Sequence, residues 1–181
     1  MMFRRAFVSL SLIAAFAVPV FGQTMKADKE KSKIDFLGKK SDGNHAGGFK
    51  DFKSEAKVDM ESPEKSTLMI EIMTESLWSD DEKLTGHLKN PDFFDVKKYP
   101  TIKFESTKVE VADEKATITG KLTILDKTVE VKIPTVSELD EKGLKLTADF
   151  KIDRMKWGMS YGKGKIEDEV ELKIVLMFPV K

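Results

Sequence analysis

From residue 33 onward, apolar and polar side chains alternate along the chain. Leu68, Ile70 and Ile72 are interleaved with Met69 and Glu71, and Val129, Val131 and Ile133 with Glu130 and Lys132. Val170, Leu172, Ile174, Leu176 and Phe178 repeat the pattern against Glu171, Lys173, Val175 and Met177. A period of two puts every second side chain on one face of a pleated strand. Weaker versions cover 33–38, 47–60, 101–111, 115–125 and 143–153, which makes eight predicted strands separated by turn formers such as Asp113-Glu114 and Asp140-Glu141-Lys142-Gly143. No strand alternates with a helical stretch, so the sheet is expected to be antiparallel. Strands with one apolar face hide their edges most simply by closing, and the predicted fold is all-β, an eight-stranded antiparallel barrel. Such an interior is either filled by side chains or holds one small ligand.

One helix interrupts the strands. Ser79-Asp80-Asp81-Glu82 reads as a capping box, Leu84 and Leu88 share a face, and Asn90-Pro91 stops the helix. Asp80 and Asp81 are read as caps rather than catalytic carboxylates, because the helix macrodipole favours negative charge in the first turn. The helix is expected near a barrel end, as a lid with Leu84, Leu88 and Phe93 facing inward.

The N-terminal pattern is different. Arg4 and Arg5 precede an apolar run over 6–20, too short to span a bilayer core, with Val20 and Gly22 flanking Phe21. Residues 1–22 therefore read as a secretory signal cut before Gln23, 23–32 as a flexible lead-in, and 33–181 as one domain. The expected location is periplasmic or secreted, without stable membrane insertion after cleavage.

Composition narrows the chemistry. The chain has no cysteine, which removes disulfide scaffolds and thiol enzymes. Its 31 basic and 31 acidic side chains argue against a nucleic-acid partner. Gly158-Met159-Ser160-Tyr161-Gly162 matches a hydrolase nucleophile elbow, but both histidines lie upstream of it and an alternating strand follows where a helix is needed. No enzyme activity is expected. His45, in a glycine-rich stretch read as a surface loop, and His87 on the helix make a poor metal site, and neither metal nor cofactor is expected. Arg154 is the only arginine after residue 22. Its planar fork suits either a ligand carboxylate or phosphate, or an ion pair with Asp168 or Glu169; the architectural pair is favoured.

Gly48-Phe49-Lys50-Asp51-Phe52, the block from His87-Leu88-Lys89-Asn90-Pro91-Asp92-Phe93-Phe94 through Tyr99-Pro100-Thr101-Ile102-Lys103-Phe104, Gly120-Lys121-Leu122-Thr123-Ile124, Asp153-Arg154 and Trp157-Gly158-Met159 together resemble the YceI-like family. The resemblance implies a lipocalin-like barrel, exported to the periplasm, holding a long-chain isoprenoid or similar amphipathic or fatty lipid. With the alternating faces it gives a candidate lining: Phe36, Phe49 and Phe52 early in the chain; Leu68, Ile70 and Ile72; Leu84, Leu88 and Phe93 from the lid; and Phe104, Arg154, Trp157, Met159 and Ile174. The alternative is a solid-cored barrel acting as an envelope-stress or protein-interaction module. Self-association as a homodimer stays open.

Overall fold

The computed structural model describes residues 24–112 and 115–180. The predicted leader at 1–22 and the turn residues Asp113 and Glu114 lie outside them. Strands β1 (Thr24–Lys26), β2 (Lys33–Lys40), β3 (Gly43–Phe49), β4 (Phe52–Lys57), β5 (Thr67–Met73) and β6 (Leu77–Ser79) precede helix α1 (Glu82–Leu88). Strands β7 (Thr101–Ala112), β8 (Lys115–Ile124), β9 (Lys127–Asp140), β10 (Gly143–Asp153) and β11 (Ile166–Pro179) follow it. All lie in one sheet of order β1-β4-β5-β7-β8-β9-β10-β11-β2-β3-β6, antiparallel at every step.

Among the described residues the predicted eight strands are thus eleven, and the closed barrel is a curled half-barrel. The predicted 47–60 strand is broken at Lys50-Asp51, and β1 and β6 are too short to leave an alternating signature. β3 pairs with β2 while β4 pairs with β5, so a two-residue link joins strands from opposite ends of the sheet order and draws those ends together. Backbone bonds cross this seam from Lys50 N to Ser76 O at 3.2 Å and from Met73 N to Asp51 O at 2.9 Å. The lead-in expected to be flexible is also tied down: β1 pairs with β4, and Asp28 N donates to Met177 O at 2.7 Å.

A second irregularity opens the wall. β9 and β10 pair only from Asp140↔Gly143 to Thr135↔Ala148. Beyond that point 127–134 of β9 run along β8, and 149–153 of β10 run along β11. Pro134, with no N–H for a ladder, stands where the split begins. A short 3-10 turn, Arg154–Trp157, contacts β9 there, and Trp157, 1% exposed, donates its indole N–H to Leu122 O at 3.1 Å.

The inner face is packed at one end and hollow at the other. On β10 and β11, Leu144, Ala148, Leu176 and Phe178 are buried, whereas Phe150, Ile152, Val170 and Leu172 on the same face are half-buried. β2 continues the gradient from buried Ile34 to half-buried Phe36 and Gly38. Outward positions carry charge, among them Asp149, Lys151, Glu169 and Lys173.

The helix starts later than the capping box predicts. Its N-cap is Asp81, whose carboxylate accepts from Leu84 N at 2.7 Å. Asp80 does a different job: it accepts from Ala46 N and from the His45 ring, each at 2.9 Å, and so ties the lid to β3. His45 accordingly sits in a strand, not in a surface loop.

Candidate functional site

The hollow half encloses a cavity of about 350 Å³. Its floor is Ile70, Ile133 and Ile174, which on their other side face a gap of only about 20 Å³ in the packed half. Above the floor the lining follows the register. Phe150, Leu172 and Phe36 are cross-strand neighbours on β10, β11 and β2, and the next row is Ile152, Val170, Gly38 and His45. Ile102, Phe104, Leu122 and Ile124 come from β7 and β8. Two glycines keep this wall thin: a Cβ at Gly47 would collide with the Phe36 ring, and one at Gly120 with the Phe104 ring. The rings therefore occupy the space beside bare backbone, as aromatic side chains shielding strand glycines do.

Leu84 and Leu88 of α1, with Phe93 and Phe94 after it, cover the cavity. The turn carrying the two phenylalanines is braced by its own backbone, Phe93 N and Asp95 N both donating to Asn90 O at 3.0 Å. The Phe94 ring meets Phe49 edge-on at 5.6 Å, and Phe49 lies 6.1 Å from Phe36, which makes a continuous aromatic side. His87 bonds Asp92 at 2.9 Å and packs edge-on against Tyr161 at 4.7 Å, joining the lid to the turn before β11.

Arg154 is 4% exposed and lines the cavity, yet its donors are directed at the backbone. Nε donates to Glu167 O at 3.0 Å, Nη2 to Ile166 O at 3.1 Å, and Nη1 to Tyr161 O at 2.9 Å and to Met159 O. Asp168 stands 3.6 Å from Nη2 and is half exposed. The expected ion pair is therefore secondary to a clamp on four carbonyls, which fixes the loop that brings Met159 and Ile166 into the lining.

Polar groups gather at the rim. Lys39 donates to Glu171 at 2.6 Å, Lys40 lies 3.4 Å from Asp42, and His45 is bound to Asp80. The Glu171 bond raises the Lys39 ammonium pKa, and the same bond lowers that of the Glu171 carboxyl. The Asp80 carboxyl is lowered first by the Ala46 N–H and then by His45. The site is an apolar lumen with a charge-paired edge. Among the described residues no group of three metal-ligating side chains gathers. Ser160 is exposed, preceded by the 3-10 turn and followed by turns into β11, so the strand–elbow–helix context of a hydrolase serine is not the one found.

The model of the YceI-like domain matches residues 25–178. The chain belongs to the YceI-like family. It is 35% identical over 139 residues to a UPF0312 protein of Pseudomonas putida, covering 68% of this chain and 67% of that one. A UPF0312 protein of Pseudomonas aeruginosa is 29% identical over 194 residues, with 94% and 95% covered. Among solved structures, BcnA of Burkholderia cenocepacia superposes with a TM-score of 0.78 at 26% identity, over 83% of this chain and 98% of that one. A polyisoprenoid binding domain from Saccharophagus degradans, implicated in plant cell wall breakdown, shares the fold at a TM-score of 0.66 and 11% identity, over 88% of this chain and 100% of that domain.

Within this YceI-like fold, Phe36, Phe49, Ile70, Ile72, Leu84 and Leu88 face the cavity, as do Phe93, Phe104, Arg154, Trp157, Met159 and Ile174. Two candidates do not. Leu68 lines the small gap in the packed half, and Phe52, 2% exposed on β4, lies in the core away from the cavity. Ile34, Phe94, Ile102, Leu122, Ile124, Ile133, Phe150, Ile152, Ile166, Val170 and Leu172 also line it, with Gly38, Lys39, Lys40 and His45 towards the rim, and none of these is among the candidates. Same-face alternation on their strands is the signal that finds most of them, whereas Phe94 sits on a turn with no periodicity to read.

Proposed function

We propose that this chain is a lipid-binding protein that sequesters or carries a long-chain isoprenoid or similar amphipathic lipid, and that it binds rather than catalyses. The observation carrying this is the apolar cavity of about 350 Å³ at one end of the sheet. A dry apolar cavity of roughly 150 Å³ takes a benzene-sized molecule, so this one takes on the order of a dozen carbons, and a longer chain continues out past the rim. Each buried CH₂ contributes about 0.8 kcal/mol, on the order of 10 kcal/mol for a dozen before ordering costs are subtracted. The ligand's polar group then stands at the charge-paired rim of Lys39, Lys40 and His45. The fold shared with a polyisoprenoid binding domain supports the same ligand class.

Export completes the reading: the pattern over residues 1–22 is that of a signal, and a cut before Gln23 leaves β1 intact. Intact mass of the protein from a periplasmic fraction should begin at Gln23. Solvent extraction of the native protein followed by mass spectrometry should release a prenyl or alkyl lipid. Added polyprenol should raise the melting temperature; at a hundred times Kd the gain is about 2.7 kcal/mol. No extracted lipid and an unmoved melting point would sink the carrier reading.

A further inference from the structure

We infer that Gly38 sets the width of the cavity mouth and so selects the cross-section of the chain that enters, an inference that rests on the lipid-carrier reading. Gly38 lies on β2, on the face of Ile34 and Phe36, between Val170 of β11 and His45 of β3, and all of these line the cavity. Every other member of its row carries a side chain. A Cβ at Gly38 would meet nothing within 4 Å, and its backbone is not in the left-handed region where glycine is favoured. Gly47 and Gly48 on the next strand differ: there a Cβ would run into Phe36 and the Trp78 carbonyl, or into Asp35 and the Ile34 carbonyl. Packing accounts for those two glycines and not for Gly38.

Glycine inside a strand weakens it unless something requires the missing side chain. At position 38 neither turn, close backbone approach nor ring packing supplies that requirement, and the register break beside it places its extra residues on β11, leaving Gly38 with an ordinary strand backbone. What remains is the space itself, and it opens onto the lumen one step from the rim residues Lys39 and Lys40. A side chain there would stand in the mouth beside Val170 and His45. A methyl-branched prenyl chain is wider than an unbranched chain, so position 38 is where branched and straight chains are told apart.

The test uses the parent, Gly38→Ala and Gly38→Leu, titrated calorimetrically with farnesol and with the unbranched alcohol of equal carbon count. Gly38→Leu is expected to lose about tenfold or more in farnesol affinity and markedly less for the straight chain, since single methylenes in an apolar pocket discriminate on that scale. Gly38→Ala should fall between, and ligand-free melting temperatures should not drop, because the added atoms enter open space. Equal losses for both alcohols, or no loss for either, would overturn the selection at Gly38 while leaving the carrier reading in place. A parent that binds neither alcohol would overturn both. Should Gly38→Leu fail to fold, the Gly38→Ala comparison between the two alcohols decides by the same criteria.

Discussion

Arg154 shows most plainly how one side chain organises the site without touching its chemistry. Its rarity among lysines was legible in the sequence; its partners were not, because Met159, Tyr161, Ile166 and Glu167 present backbone carbonyls that only the 3-10 turn and the irregular start of β11 bring together. A lysine cannot span four acceptors with one ammonium. Arg154→Lys is therefore expected to lower stability by about 2–4 kcal/mol in urea unfolding, the scale of charged hydrogen bonds left unmade in a buried place. Asp168→Asn should change it little, since Asp168 is half exposed and 3.6 Å away. The reverse ranking would restore the ion pair as the main role. Phe52 and Leu68 teach the complementary lesson: alternation assigns a residue to the inner face and says nothing of its height along the strand, which decides whether it meets lumen or packed core.

The lid helix was legible in type and place, and its first turn was misread by two positions. A run of Ser79, Asp80, Asp81 and Glu82 offers several capping registers, and the choice is settled by β3, whose Ala46 amide and His45 ring claim Asp80 and leave Asp81 to cap. That claim has a pH signature. With its folded pKa lowered, Asp80 holds α1 to β3 above the ordinary aspartate range and lets go only as pH falls through the depressed value. Hydrogen exchange at Ala46 should stay slow, after correction for intrinsic rates, while pH crosses the ordinary aspartate range, and should quicken only below it. Asp80→Asn should make exchange at Ala46 faster at neutral pH and remove that acid transition; unchanged exchange would mean the strand ladder alone protects this amide.

At the scale of the molecule, fold class, antiparallel order and the inward faces were readable from period-two patterning. The break at Lys50-Asp51, the split between β9 and β10, and the division into packed and hollow halves were not, because each depends on where strands end relative to one another. The division predicts two classes of substitution on a single strand. Leu176→Ala, in the packed half, should cost about 2–5 kcal/mol of stability with little effect on lipid binding, whereas Leu172→Ala, in the lumen wall, should cost less and weaken binding. Similar losses of stability for both would mean the hollow half is packed as tightly as the other.

The pairing of β2 with β11 also fixes a schedule. Ser32 accepts a bond from Met177, 145 positions later, and Ile34 lies opposite Ile174, so β2 waits for β11. A chain emerging from the ribosome cannot complete its sheet until β11 is free, because loop closure over that span must precede the contacts that reward it. Until then β2 lacks its partner on one side, and commitment to the complete sheet waits for β11. Nascent chains stalled before residue 166 should be digested readily by protease, and chains long enough to bring β11 clear of the ribosome should resist it.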